Sequence, residues 1–188
     1  MSKEKTVKLG CFFLVFAFLT LNLGADIRTI PIDVYIIVDS SSAMERGREE
    51  AVSWLCTAVM DGLLQQGDGL WIWTAGEKPE LVYSGTLGSD KEAPKTLIRS
   101  ITFRGDTADY RGALREAQSA IARRSGRISY TLLISGSGAK DPPSREAESA
   151  GLLRYSRVES FAGWRVLTIG LDLSPRIRQS RSYYMNNQ

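Results

Sequence analysis

The sequence predicts an α/β fold: an open, mostly parallel, doubly wound sheet with helices on both faces and one antiparallel edge strand. Three observations carry this expectation. Short β-type apolar runs alternate with longer stretches of helical periodicity between residues 33 and 170, the order that builds a largely parallel sheet. The first of these runs, DVYIIVD at 33–39, is apolar without alternation, as a strand covered on both faces must be. At 188 residues, 43% hydrophobic and 24% charged, the chain has room for one domain with a substantial core and a short appended segment, but not for two large domains.

Each element follows in turn. Val52, Leu55, Val59 and Leu63 recur at helical spacing beside Cys56, predicting an amphipathic helix over about 46–66 with Cys56 as a packed small apolar residue. Gly69 to Thr74 reads as the next strand and Glu80 to Ser84 as another. The link between them, with Gly76 and Pro79, allows a hairpin but no crossover helix, so 80–84 is the expected antiparallel edge. Residues 91–101 form a helix around Leu97, Ile98 and Ile101, and 110–124 a second with Ala113, Leu114, Ala117 and Ile121 inward. Residues 130–135 and 164–170 are two further buried strands. Between them, Pro143 to Arg157 reads as a helix with Ala147, Ala150 and Leu153 inward.

The formal net charge of +3 is concentrated at the termini. Lys3, Lys5 and Lys8 oppose only Glu4 at one end, and Arg176, Arg178 and Arg181 face no acid at the other, which leaves residues 9–173 at net −2. The body therefore has no basic stripe of the kind a nucleic-acid site needs. Residues 1–25 read as a signal peptide or N-terminal membrane anchor: a basic start, the apolar run Cys11 to Leu21, then Ala25 as a plausible cleavage position. That run is shorter than the ~20 residues of a comfortable span, which favours a signal over a permanent helix. The expected location is periplasmic or extracellular, with membrane attachment only through residues 9–25, and residues 26–188 form the exported domain. After cleavage Cys56 is the single remaining thiol, so no internal disulfide is expected. The complete lack of histidine removes imidazole bases and histidine metal ligands.

In open α/β sheets ligands bind beyond the carboxyl ends of the strands. The first strand ends there in Asp39-Ser40-Ser41-Ser42-Ala43-Met44. The stretches DVYIIVDSSSAM, LLQQGDGLWIWTAGEKPELVYSG, GDTADYRGAL, TLLISGSG and RVLTIGLD together resemble, in order and spacing, a von Willebrand factor A domain over about residues 31–172. The resemblance implies the Rossmann-like sheet of that family and its metal-ion-dependent adhesion site, in which oxygen ligands hold Mg²⁺ and leave one position open for a partner's carboxylate. Carried over residue by residue, it implies Asp39, Ser41 and Thr107 as metal ligands. Two positions depart: Ala43 stands for the second serine and Gly136 for the acid after the fourth strand. Ser42, Asp106 and Asp109 flank the site as residues to supply replacement oxygens or to contact the partner. Loss of a hydroxyl and a carboxylate predicts a weakened cation site. The competing reading has Asp39 and Ser41 simply capping the following helix. Beyond Asp172 sixteen residues remain, predicting a shortened C-terminal helix starting at Ser174-Pro175.

Other features carry less. Arg104-Gly105-Asp106 reads as loop geometry, the four tryptophans as core, and Arg123, Arg124 and Arg127 as a solvated helix end. The function expected is a non-catalytic protein–protein interaction domain binding another envelope or extracellular protein at the carboxyl edge of the sheet. The alternatives are a structural subunit of an envelope assembly that uses the fold without metal, and a phospho-aspartyl enzyme or receiver at Asp39. The last wants a second acid and a suitably placed lysine, and Lys140 is the one near a strand end.

Overall fold

The computed structural model describes residue 28 and residues 30–124, 126–137 and 156–169. The chain divides into two units, 1–30 and 31–188; of the first only residues 28 and 30 are described. The expected signal or anchor at 1–25, most of the helix expected at 143–157, Lys140, Asp172 and the C-terminal helix lie outside the described residues.

Unit 31–188 is built on a six-stranded sheet. In chain order the elements are β1 (Ile32–Asp39), a 3-10 turn (Ser42–Met44), α1 (Arg48–Trp54) continuing as a π-helical stretch (Leu55–Leu63), β2 (Gly69–Ala75), β3 (Pro79–Thr86), α2 (Glu92–Ser100), α3 (Tyr110–Ala122), β4 (Ile128–Gly136), β5 (Ser156–Ser160) and β6 (Trp164–Ile169). The strands lie in the order β3-β2-β1-β4-β6-β5. β1 is central, parallel to both β2 and β4, and all eight of its residues are buried. Its even residues Ile32, Val34, Ile36 and Val38 face α1, the π-helical stretch and α2, whereas Tyr35 and Ile37 face α3 through Ala113, Leu114 and Ala117. The unbroken apolar run of β1 is thus explained: both faces are covered.

The α/β class, the central parallel strands and the antiparallel edge β3 agree with the sequence expectation. The other half of the sheet does not. β6 runs antiparallel to β4, and β5 antiparallel to β6, so the sheet is mixed instead of mostly parallel with a single antiparallel edge. Ser156 and Arg157, expected as the end of a helix, open β5. The physical reason is local. Only Phe161, Ala162 and Gly163 separate β5 from β6, a link that permits a hairpin and nothing longer. Phe161 stacks on Trp164 with ring centroids 3.9 Å apart, and Trp164 meets Trp54 at 5.4 Å. The turn also presses on the 46–47 backbone: a Cβ at Gly47 would lie 2.7 Å from the Trp164 Cβ.

Smaller differences concern helix faces. Leu97, expected inward, is exposed, while Ile98 and Ile101 join the core. Lys91 closes the end of the π-helical stretch by donating to the Met60 and Leu64 carbonyl oxygens, each at 2.6 Å, and its burial lowers its pKa. Cys56 is buried as expected, with its thiol pKa raised by desolvation, which suppresses the reactive thiolate. Trp54, Trp73 and Trp164 are core residues. Among the described residues no helix is long and apolar enough to cross a membrane.

Candidate functional site at the carboxyl edge of the sheet

β1 and β4 end side by side, and their last residues, Asp39 and Gly136, meet where the chain order reverses across the sheet. This is the crevice in which α/β sheets bind ligands. Asp39 is fully buried. Its Oδ1 accepts the Ser41 N–H at 2.8 Å, an Asx-type turn that starts the Ser42–Met44 turn. Its Oδ2 accepts the Tyr110 hydroxyl at 2.5 Å and the Gly136 N–H at 3.4 Å. A buried carboxylate is costly unless it is hydrogen-bonded, and these three donors satisfy it.

The remaining candidate residues are scattered. Ser41 is buried and precedes the 3-10 turn, but its side chain makes no capping bond, and Asp39 accepts from Ser41 itself, one residue before the turn. Thr107 is exposed. Ser42 is exposed as well, its Oγ 3.5 Å from an Asp106 carboxylate oxygen, the outer limit of a hydrogen bond. Asp109 is the N-cap of α3, accepting the Gly112 N–H at 2.8 Å, a use that fixes the helix start. The 104–106 segment is pinned to the first-strand loop by Arg104 N–H to the Ser40 carbonyl at 2.7 Å and Ser42 N–H to the Gly105 carbonyl at 2.8 Å. Gly105 sits at φ +82°, a turn conformation suited to glycine.

The donor set does not fit the divalent cation that the resemblance implies. Ala43 contributes no side-chain oxygen. Gly136 leaves no room for the missing acid, because a Cβ there would lie 2.0 Å from the Ala43 carbonyl oxygen and 2.4 Å from its carbon. The backbone of the first-strand loop therefore fills the space that an acid at 136 would enter. Among the described residues no group of three or more Asp, Glu, Cys or His is gathered to hold a metal. Nor does Asp39 present a surface to a phosphoryl donor, being buried with both oxygens engaged.

Two features of the site were not read from the sequence. Tyr110 appeared there only as the start of a helix, yet its hydroxyl is the shortest contact to Asp39. The other is a groove of about 650 Å³ beside Asp39, lined by Ser40, Gly76, Lys78, Glu80, Arg104 and Gly105 among others. Its signal was available in part: these residues follow β1 and β2, open β3, or belong to the loop before α3.

The expectation of a solvated arginine end is corrected for Arg124 and Arg127, while Arg123 is exposed. At the opposite edge of the sheet, Arg124 donates to Asp33 from Nε at 2.8 Å, and Arg127 Nε lies 2.9 Å from the other Asp33 oxygen. Arg124 also covers the Trp71 ring at 4.8 Å. These arginines are bound to a buried acid that sequence spacing does not connect with them.

A protein of Treponema pallidum (strain Nichols) is 26% identical over 180 residues, an alignment covering 89% of this chain and 78% of that one. Solved structures with a similar chain path include a von Willebrand factor type A protein from Catenulispora acidiphila (18% identity, TM-score 0.49, 64% of this chain and 31% of that one). Another is the three N-terminal domains of the type V pili tip protein Mfa5 from Porphyromonas gingivalis (19%, TM-score 0.44, 55% and 19%). A third is proximal thread matrix protein 1 from the mussel byssus (18%, TM-score 0.48, 65% and 35%). The alignment spans about a fifth to a third of these solved chains. The model of the von Willebrand factor type A domain matches residues 34–139, the segment from β1 through β4 that carries Asp39, Thr107 and Gly136, and this chain belongs to that family.

Proposed function

We propose that this chain is a non-catalytic protein-interaction domain, exported and either released or held by residues 9–25, that binds another envelope or extracellular protein at the carboxyl edge of its sheet. Members of the family commonly mediate protein–protein interaction. The observation that carries the reading is the groove beside Asp39, at the edge where folds of this class bind. It mixes Glu77 and Glu80 with Lys78 and Arg104, which suits a polar protein surface of both signs better than a ligand of one charge. The poor fit of the donor set to a divalent cation favours, within this reading, the version in which the domain works as a metal-independent subunit of an assembly.

The test is site-specific photocrosslinking of the full chain in its native cells. A photoreactive residue at Lys78 or Arg104 is expected to give a defined adduct, and one at Gln66, exposed on the opposite edge, none. Adducts from Gln66 alone, or from none of the three, would overturn the reading. Export is read separately: protease added outside the inner membrane should degrade the domain, and full protection would remove that part.

A further inference from the structure

We infer that Tyr110 takes the chemical place of the cation: its hydroxyl, not a metal, completes the Asp39 site, and the carboxyl edge of this domain is assembled permanently without an ion. The loop ahead of α3 has two residues that matter here. Thr107, the family's ligand position, is exposed to solvent, while Tyr110, three residues on, is buried and donates to Asp39 Oδ2 at 2.5 Å. A cation ligand must offer a lone pair. Asp39 already directs one oxygen at Ser41 N–H and the other at both Tyr110 and Gly136, which uses three of about four acceptor positions of a carboxylate.

The arrangement is held from two sides. Asp109 caps α3 through the Gly112 N–H and donates its own N–H to the Gly76 carbonyl at 2.8 Å, while Ala113, Leu114 and Ala117 bury the helix against the sheet. The phenol is thus fixed in place by the packing of a whole helix. From the other side, the Ala43 carbonyl sits against Gly136 so closely that no side chain enters. Ala43, Gly136 and Tyr110 therefore form one consistent set: two residues that withdraw ligands and a third that supplies the hydrogen bond a buried carboxylate then requires.

The proposal concerns the ion and not the partner, so it stands or falls separately from the crosslinking result. The test uses the purified full chain in EDTA and in millimolar Mn²⁺, with Mn²⁺ as the probe. A native-state ligand must raise the thermal midpoint by mass action. The expected results are the same midpoint in both buffers and an undiminished free-Mn²⁺ paramagnetic resonance signal on titration with protein. Tyr110→Phe should lower the midpoint by roughly 3–8 °C in both buffers alike. Saturable loss of the free-Mn²⁺ signal near one equivalent, abolished by Asp39→Asn, would overturn the inference. So would an unchanged midpoint in Tyr110→Phe. Should either variant fail to fold, the wild-type titration decides alone: saturable uptake of Mn²⁺ overturns the inference, and an undiminished signal upholds it.

Discussion

Strand β1 carries a fully buried aspartate near each end, and the two are satisfied by opposite means. At the amino edge Asp33 faces two guanidinium groups, Arg124 and Arg127, and Arg124 lies over Trp71, which itself stacks on Tyr35 at 4.8 Å. At the carboxyl edge none of the described hydrogen-bond partners of Asp39 is charged: two are backbone N–H groups and one is a phenol. Each site also relies on a glycine. A Cβ at Gly69 would lie 2.3 Å from an Asp33 oxygen, and one at Gly136 2.0 Å from the Ala43 carbonyl. The difference teaches that a buried acid needs either countercharge or several oriented dipoles.

The largest expected effect comes from forcing the family's acid back into place. Gly136→Asp should destabilise the protein by on the order of 4 kcal/mol in urea denaturation, because overpacking and an added buried charge act together. A loss under about 1 kcal/mol would mean that the Ser41–Met44 loop moves aside freely, and the account of a filled site would fail. Asp33→Ala comes next, at about 3 kcal/mol by the same measurement, since it strands two partly buried guanidinium groups. A smaller cost than that of Tyr110→Phe would erase the distinction between charge pairing and dipole pairing.

The smallest effect is on pH dependence. Burial first, and then the charge of Asp33, push the Tyr35 phenol above its usual value near 10. The unfolded chain therefore loses this proton at lower pH than the folded one. The contribution is fully present below about pH 10 and is lost as pH rises towards the folded value. The urea midpoint of the wild type should fall between pH 9 and 11 more than that of Tyr35→Phe. Equal slopes would show that Tyr35 has no part in the amino-edge site.

The sequence by itself determined the class of fold, the position of β1 between two covered faces, the hairpin edge β3 and the inward face of α3, because burial imposes a period that the residues display directly. It also displayed Ala43 and Gly136 as the two departures from the ligand pattern that the resemblance implies. Only the tertiary structure decided which donors Asp39 meets. Tyr110 and Asp39 are 71 positions apart, and Arg124 and Asp33 are 91 apart. No local period links either pair, so the parallel pairing of β1 with β4 and the seating of α3 had to bring them together. The β5–β6 hairpin was hidden for the same kind of reason: an apolar run announces a buried strand but not its direction, which was settled here by a three-residue turn and by the packing of Phe161 and Trp164 beside Trp54.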